Sequence, residues 1–149
     1  MRIALYQPEI AGNVGAVLRL AACFGVPVDI IEPTGFVFSD VRMRRAAMDY
    51  IDHVDIVRHA GWDTFRTAVS GRVILMTTRG ATRLHDVAFA RDDTLLFGSE
   101  SAGVPFDVAQ SCSACVRIPL SRSVRSLNLA VATGIALTEA LRQTGGLPE

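Results

Sequence analysis

Short runs of aliphatic and β-branched residues recur along the chain, between segments in which apolar residues fall three and four positions apart. The runs are IALY from Ile3, VDII from Val28, VDIV from Val54, VILMTT from Val73, TLLF from Thr94 and CVRI from Cys115. Each has strand length, and each starts about one βα unit after the last, as a mostly parallel sheet requires. Between the first two, Val14, Val17, Leu18, Ala21 and Ala22 share one helical face. Asn13 is placed to cap the start of this helix, and Gly25 followed by Pro27 to end it. Ser39 and Asp40 open a second helix, residues 61–69 form a third, and another begins near Pro105. The last helix has the clearest spacing, through Leu127, Ala130, Val131, Gly134, Ile135, Thr138 and Leu141, and ends before Gly145 and Gly146. This alternation predicts an α/β fold with a mostly parallel sheet and helices on both faces. No Pro/Ser-rich linker interrupts it, so residues 1–149 read as one domain.

Composition narrows the chemistry. Half of the 149 residues are hydrophobic and 20% are charged, which is enough to bury a core without disulfides or metal. Cations and anions balance at 15 each, which excludes an overall positive field, so any contact with nucleic acid is local. Every cation is arginine. Each can fork onto phosphate, but none can act as an amine nucleophile or form a Schiff base. The first residues lack the apolar core of a secretory signal, and the longest apolar stretch, Leu127 to Leu137, carries Asn128, Thr133 and Gly134. A cytoplasmic protein without a membrane span is expected.

Ligands of open parallel sheets collect beyond the carboxyl ends of the strands, and three segments there are unusual. In QPEIAGNVGAVLRLAACFG, Gly12, Asn13 and Gly15 lead into a helix carrying Arg19 among apolar neighbours. A guanidinium there needs a partner, either a phosphate or a structural carboxylate such as Glu9 or Glu32. In LLFGSESAGVP, Gly98 and Gly103 let backbone approach a ligand closely, while Glu100 can accept hydrogen bonds or cap the helix near Pro105. In RIPLSRSVRSLNLAVATG, a polar loop with Arg122 and Arg125 precedes Asn128, which can start the last helix. Glu9 and Glu100 are also candidates for a carboxylate pair, although nothing in the sequence fixes their separation. GxGxxG, GxxxxGK[ST] and GxSxG are all absent. Cys112 and Cys115 form a CxxC, but Cys23, His53, His59 and His85 offer no second close pair, so no metal site is expected.

Taken together, LYQPEIAGNVGAVLRLAACFG, IIEPTGF, DVRMRRAAMDY, TTRG, LLFGSESAG and RIPLSRSVRSLNLAVATGIALTEALRQ resemble the SPOUT class of RNA methyltransferases. The resemblance is strongest to the TrmL (YibK) type, which methylates the ribose 2′-hydroxyl of the tRNA wobble nucleotide, cytidine or uridine 34. It covers nearly the whole chain, in family order. It implies an α/β fold whose C-terminal third threads into a deep trefoil knot, and a homodimer with the last helix and the first-motif helix near the interface. It also implies S-adenosylmethionine as cofactor, leaving as S-adenosylhomocysteine. Three turns would hold that cofactor: Met76, Thr77 and Thr78; Gly98, Glu100 and Gly103; and Ile118, Leu120, Ser126 and Leu127. Arg19 matches the family's catalytic arginine, with Asn13 and Asn128 orienting substrate or loops. Arg42, Arg44, Arg45 and Tyr50 match a segment that would contact the anticodon stem-loop, although Asp40, Asp49 and Asp52 interleave with these arginines and also fit a solvated, ion-paired helix. Ala102 and Ala130 stand where such proteins often carry Arg and Ser. Methylation at another tRNA or rRNA position, or a knotted RNA-binding module without turnover, are the alternative readings.

Overall fold

The computed structural model describes residues 1–39 and 41–149; Asp40, expected at the start of the second helix, lies outside the described residues. In chain order the elements are β1 (Arg2–Tyr6), α1 (Ala11–Phe24), β2 (Val28–Ile31), α2 (Val41–Ala47), β3 (Ile56–His59), α3 (Trp62–Ala68), β4 (Val73–Met76), β5 (Thr82–Arg83), β6 (Thr94–Phe97), α4 (Phe106–Ser111), β7 (Ala114–Arg117) and α5 (Leu129–Thr144). The seven strands form one sheet in the order β3-β2-β1-β6-β4-β7-β5, and each pairing is parallel.

Burial follows strand position. β2, β4 and β6 are buried at every residue, as central strands covered on both faces must be. The edge strand β3 leaves Val57 and Arg58 exposed. The buried carboxylate in the VDII run is explained by pairing: Asp29 accepts from Arg2 Nε at 2.7 Å, and one of its oxygens lies 2.7 Å from His59 Nε2.

Helices cover both faces. On one, Val14, Val17 and Leu18 of α1, Met43 and Ala47 of α2 and Leu137, Ala140 and Leu141 of α5 close over Ile3, Leu5, Ile74 and Leu95. On the other, Phe65 of α3 and Val108 of α4 pack on Ala4, Leu75 and Leu96. Gly15 is what brings α1 and α2 together, since a side chain there would run into the Met43 carbonyl.

Several boundaries differ from the pattern in the sequence. β3 begins at Ile56 rather than Val54, because only from there does the chain pair with β2. β5 has two exposed residues and no periodicity to betray it; it exists because β7 lies alongside. Beyond α2 the chain tightens into a 3₁₀ stretch at Met48–His53. Gly25 and Gly145 end α1 and α5 in the left-handed conformation, as their placement implied.

α5 is tied to the loop before β6 by a short polar chain. Glu139 accepts from Arg142 Nε at 2.9 Å and from Gln143 Nε2 at 2.7 Å, while Gln143 Oε1 accepts from the Phe89 amide. The hydrogen bonds from Arg142 and then Gln143 pull the Glu139 carboxyl down to about 2. A carboxyl depressed in the folded state stabilises above its ordinary value near 4.5 and loses that contribution as pH falls toward 2. Between pH 5 and pH 2, Glu139→Gln is therefore expected to lose less thermal stability than the wild type, with a small difference because the pair is exposed.

Candidate active site

β1, β6, β4 and β7 are consecutive in the sheet, so the loops that follow them meet along one rim at the carboxyl ends of the strands. Segments far apart in sequence become lateral neighbours there. Glu100, after β6, reaches the start of α1: its carboxylate accepts from the Glu9 amide at 2.8 Å, the Ile10 amide at 3.2 Å and Asn13 Nδ2 at 3.1 Å. The Glu9 carboxylate answers by accepting from the Ser101 amide at 3.0 Å and Ser101 Oγ at 2.5 Å. Asn13 Oδ1 accepts from Asn128 Nδ2 at 2.9 Å, and Asn128 Oδ1 accepts from the Ala130 and Val131 amides at 2.9 and 3.3 Å. One hydrogen-bonded chain thus joins the start of α1, the loop after β6 and the start of α5.

This network corrects two expectations. Ile10, not Asn13, occupies the N-cap position of α1 and gives no side-chain cap; Asn13 lies within the first turn and spends its amide on Glu100 and Asn128. The anion at that helix start comes instead from Glu100, whose charge complements the positive end of the helix dipole. Glu100 accordingly does not cap the helix near Pro105, where α4 has no side-chain cap. Glu9 and Glu100 do come together, but both carboxylates are engaged by N–H and O–H donors, an arrangement for holding loops rather than for exchanging protons. Asn128 does cap α5.

Arg19 is exposed on α1, and its guanidinium lies over the Tyr50 ring at 5.4 Å. Among the described residues it makes no ion pair: Glu9 is turned toward Ser101, and Glu32 toward Arg58 and the Thr34 amide. A cation held over an aromatic face, with its donors unspent, is available to an incoming phosphate. Tyr50, expected to act with the α2 arginines, is joined instead to Arg19. Arg44 and Arg45 are exposed on α2 and form no ion pair among the described residues, and Asp49 and Asp52 neutralise neither. Arg42 is exposed on the same helix.

The remaining candidates line the rim beyond β4, β6 and β7. Thr77 donates its amide to the Val116 carbonyl at 2.8 Å, and Gly80 closes the turn by donating to Thr77 O at 3.1 Å. Met76 is buried at the end of β4 and Thr78 is exposed. Gly98 and Gly103 bring their backbones together through the Ser99–Gly103 bridge; a Cβ at Gly98 would lie 2.5 Å from the Gly103 carbonyl carbon. Gly103 itself has φ +70°, which favours glycine. Ile118, Leu120 and Leu127 are half-buried and Ser126 is exposed. Backbone-lined turns with apolar side chains between them suit a ligand carrying an adenine edge and an aliphatic chain. Gly98→Ala is expected to push the Ser99–Gly103 bridge apart and weaken binding of such a ligand about tenfold, measurable by calorimetry.

Arg117 gave no sign of its part in the site. Its Nη1 donates to the Gly80 and Ala81 carbonyls at 2.6 and 2.7 Å and so fixes the turn after β4. A basic residue ending a strand carries no local mark of a tertiary carbonyl partner. Cys23, Cys112 and Cys115 are free thiols, and burial pushes the Cys112 thiol up to about 11, which makes it unreactive at neutral pH. No cluster able to hold a metal occurs among the described residues, nor is any helix there long and apolar enough to cross a membrane.

A parallel sheet whose carboxyl-end loops are latched around the start of α1, beside an exposed guanidinium, is an arrangement suited to holding a ligand next to a phosphate group. The chain belongs to the SpoU rRNA Methylase family, whose model matches residues 1–138. It is 48% identical over 149 residues to the tRNA (cytidine(34)-2′-O)-methyltransferase of Ancylobacter novellus, covering 98% of this chain and 94% of that protein. A solved structure concerned with 2′-OH methylation of C/U34 on tRNA superposes with a TM-score of 0.92 at 43% identity, covering 95% of this chain and 94% of the other. The AdoMet-bound rRNA methyltransferase of Sinorhizobium meliloti superposes at 0.86 with 32% identity, covering 95% of this chain and 55% of that one.

Proposed function

We propose that this protein transfers a methyl group from S-adenosylmethionine to the ribose 2′-hydroxyl of the wobble nucleotide, cytidine or uridine 34, of tRNA, and releases S-adenosylhomocysteine. The observation that carries the reading is the hydrogen-bonded chain Glu100–Asn13–Asn128, which draws three loops together on the helix that carries Arg19, a cation with no ion pair among the described residues. Similarity over almost the full length to a tRNA (cytidine(34)-2′-O)-methyltransferase supports the substrate.

The turns at Met76–Thr78, Gly98–Gly103 and Ile118–Leu127 hold the cofactor by backbone groups and apolar contacts. When bound, the cofactor supplies a methyl group already activated on a sulfonium. What remains for the protein is alignment of the ribose oxygen and stabilisation of the charge it gains as its proton leaves to solvent. Arg19 has that role. A guanidinium with a pKa above about 12 is a poor proton acceptor at neutral pH but a good fork for the neighbouring phosphate and a good partner for a developing alkoxide. Asn13 and Asn128 keep α1 and α5 in register, so Arg19, about 9 Å along the α1 axis from Asn13, stays fixed relative to the cofactor turns.

The same reading has the C-terminal third threaded as a deep trefoil knot, and the protein acting in the cytoplasm as a homodimer. Val131 and Ile135 are exposed one turn apart on α5, and Ile10 is exposed at the start of α1; a second copy would cover this apolar surface. Arg42, Arg44, Arg45 and Tyr50 then meet the anticodon stem-loop, without metal or membrane. Purified protein incubated with labelled cofactor and total tRNA from a strain lacking the enzyme is expected to label the wobble ribose. Label at another nucleotide would move the substrate elsewhere in tRNA, and binding without transfer would leave only an RNA-binding module.

A further inference from the structure

A cleft of about 480 Å³ lies outside the cofactor rim, between the loop at 32–39, α2 and the edge strand β3. Its walls combine ring faces with cations: Phe36, Val37 and Phe38 from the loop, Arg44 from α2 and Arg58 from β3. Arg58 is held from two sides, with its guanidinium over the Phe38 ring at 4.7 Å and its Nε donating to Glu32 at 2.7 Å. The result is a flat cationic plate fixed at the wall. Glu32 is consumed by Arg58 and by the Thr34 amide, whereas Arg44 has no ion pair among the described residues. Val37 is 73% exposed although it sits between two aromatic residues.

The cleft is mechanically part of the active site. Gly35 donates its amide to the Pro8 carbonyl at 2.9 Å and rests on Glu9, so closely that a Cβ at Gly35 would lie 2.8 Å from Glu9 Cα. Glu9 is the residue that holds Ser101 at the rim. On the other side, Arg44 precedes Tyr50, the ring beneath Arg19, by six residues, across the junction of α2 with the 3₁₀ stretch.

We infer that this cleft binds one unstacked base of the RNA, a few nucleotides from the ribose that is methylated. The inference rests on the RNA methylation proposed above. Stacking surfaces beside guanidinium planes are the chemistry by which proteins take hold of splayed-out bases. A bare phosphate would meet ring faces and the Glu32 carboxylate, and an acidic peptide would find few free cations for the apolar wall it must desolvate. A base uses the rings and the arginines together.

The probe is an anticodon stem-loop RNA in which each loop nucleotide in turn is made abasic, with affinity measured for the wild type, Phe38→Leu and Val37→Asp. For the wild type, one abasic position other than the methylated nucleotide is expected to weaken binding about tenfold, the scale of one base–aromatic stack. Each variant is expected to weaken binding of the intact hairpin by a similar factor and to be indifferent to the abasic change at that position. Val37→Asp, at an exposed residue, is expected to keep the wild-type melting temperature, so its loss of binding cannot come from unfolding. Additive losses of variant and abasic site, or wild-type affinity in Val37→Asp, would overturn the inference. Methylation of the hairpin by a wild type that responds to no abasic position sinks the cleft alone; neither binding nor methylation by the wild type sinks the proposed function with it.

Discussion

Arg19→Lys is expected to methylate saturating tRNA about 10²–10³-fold more slowly than the wild type, while its affinity for S-adenosylmethionine stays within twofold. The factor corresponds to about 3–4 kcal/mol, the usual loss when one preorganised donor to a developing oxyanion is removed. The geometry gives the reason. Arg19 stands over Tyr50 with no carboxylate partner among the described residues, so its fork is open to a phosphate and the ribose oxygen, and an ammonium on a flexible stem reproduces neither the plane nor the paired donors. Because the side chain is exposed and contributes nothing to the core, the melting temperature should barely change. Single-turnover methylation together with cofactor titration checks both halves. Near-normal turnover in Arg19→Lys would make the forked contact unnecessary, and joint loss of turnover and cofactor binding in Arg19→Ala would make the residue structural.

Glu100→Ala is expected to lower methylation about 100-fold and to destabilise the fold by about 1–3 kcal/mol, a drop of roughly 2–12 °C in Tm. The carboxylate serves two backbone amides at the start of α1 and the Asn13 side chain, and removing it orphans all three next to a positive helix end. Turnover suffers more than stability because the same carboxylate aligns α1, which carries Arg19, with the loop that carries Gly98 and Gly103. Glu100→Gln should fall between, since its NH₂ would face donors where the oxygen had accepted. Asn13→Ala and Asn128→Ala, each combined with Glu100→Ala, should show coupling of about 0.5–3 kcal/mol in a double-mutant cycle. Strict additivity would mean that the three residues do not act as one chain.

The order of elements was legible along the chain. Fully apolar runs such as TLLF can only be strands buried on both faces, the three-four spacing of α1 and α5 marks their inner faces, and Gly25 and Gly145 stop them where the left-handed conformation costs glycine least. The candidate residues were legible as unusual chemistry: an arginine amid apolar neighbours, glycines around Glu100, an asparagine before a helix. Their partners were not. Asn13 looks locally like a cap, and nothing within a dozen residues of it announces Glu100 or Asn128.

The sequence by itself therefore determined a parallel α/β sheet and the inventory of reactive groups, because hydrophobic periodicity and turn chemistry act over a few residues. Only the tertiary structure decided that β1, β6, β4 and β7 stand side by side, that two glutamates latch loops instead of moving protons, and that Arg19 rests on Tyr50 rather than on a carboxylate. Those outcomes depend on which strands become neighbours. Strand adjacency is set by the packing of the whole core, and no local pattern encodes it.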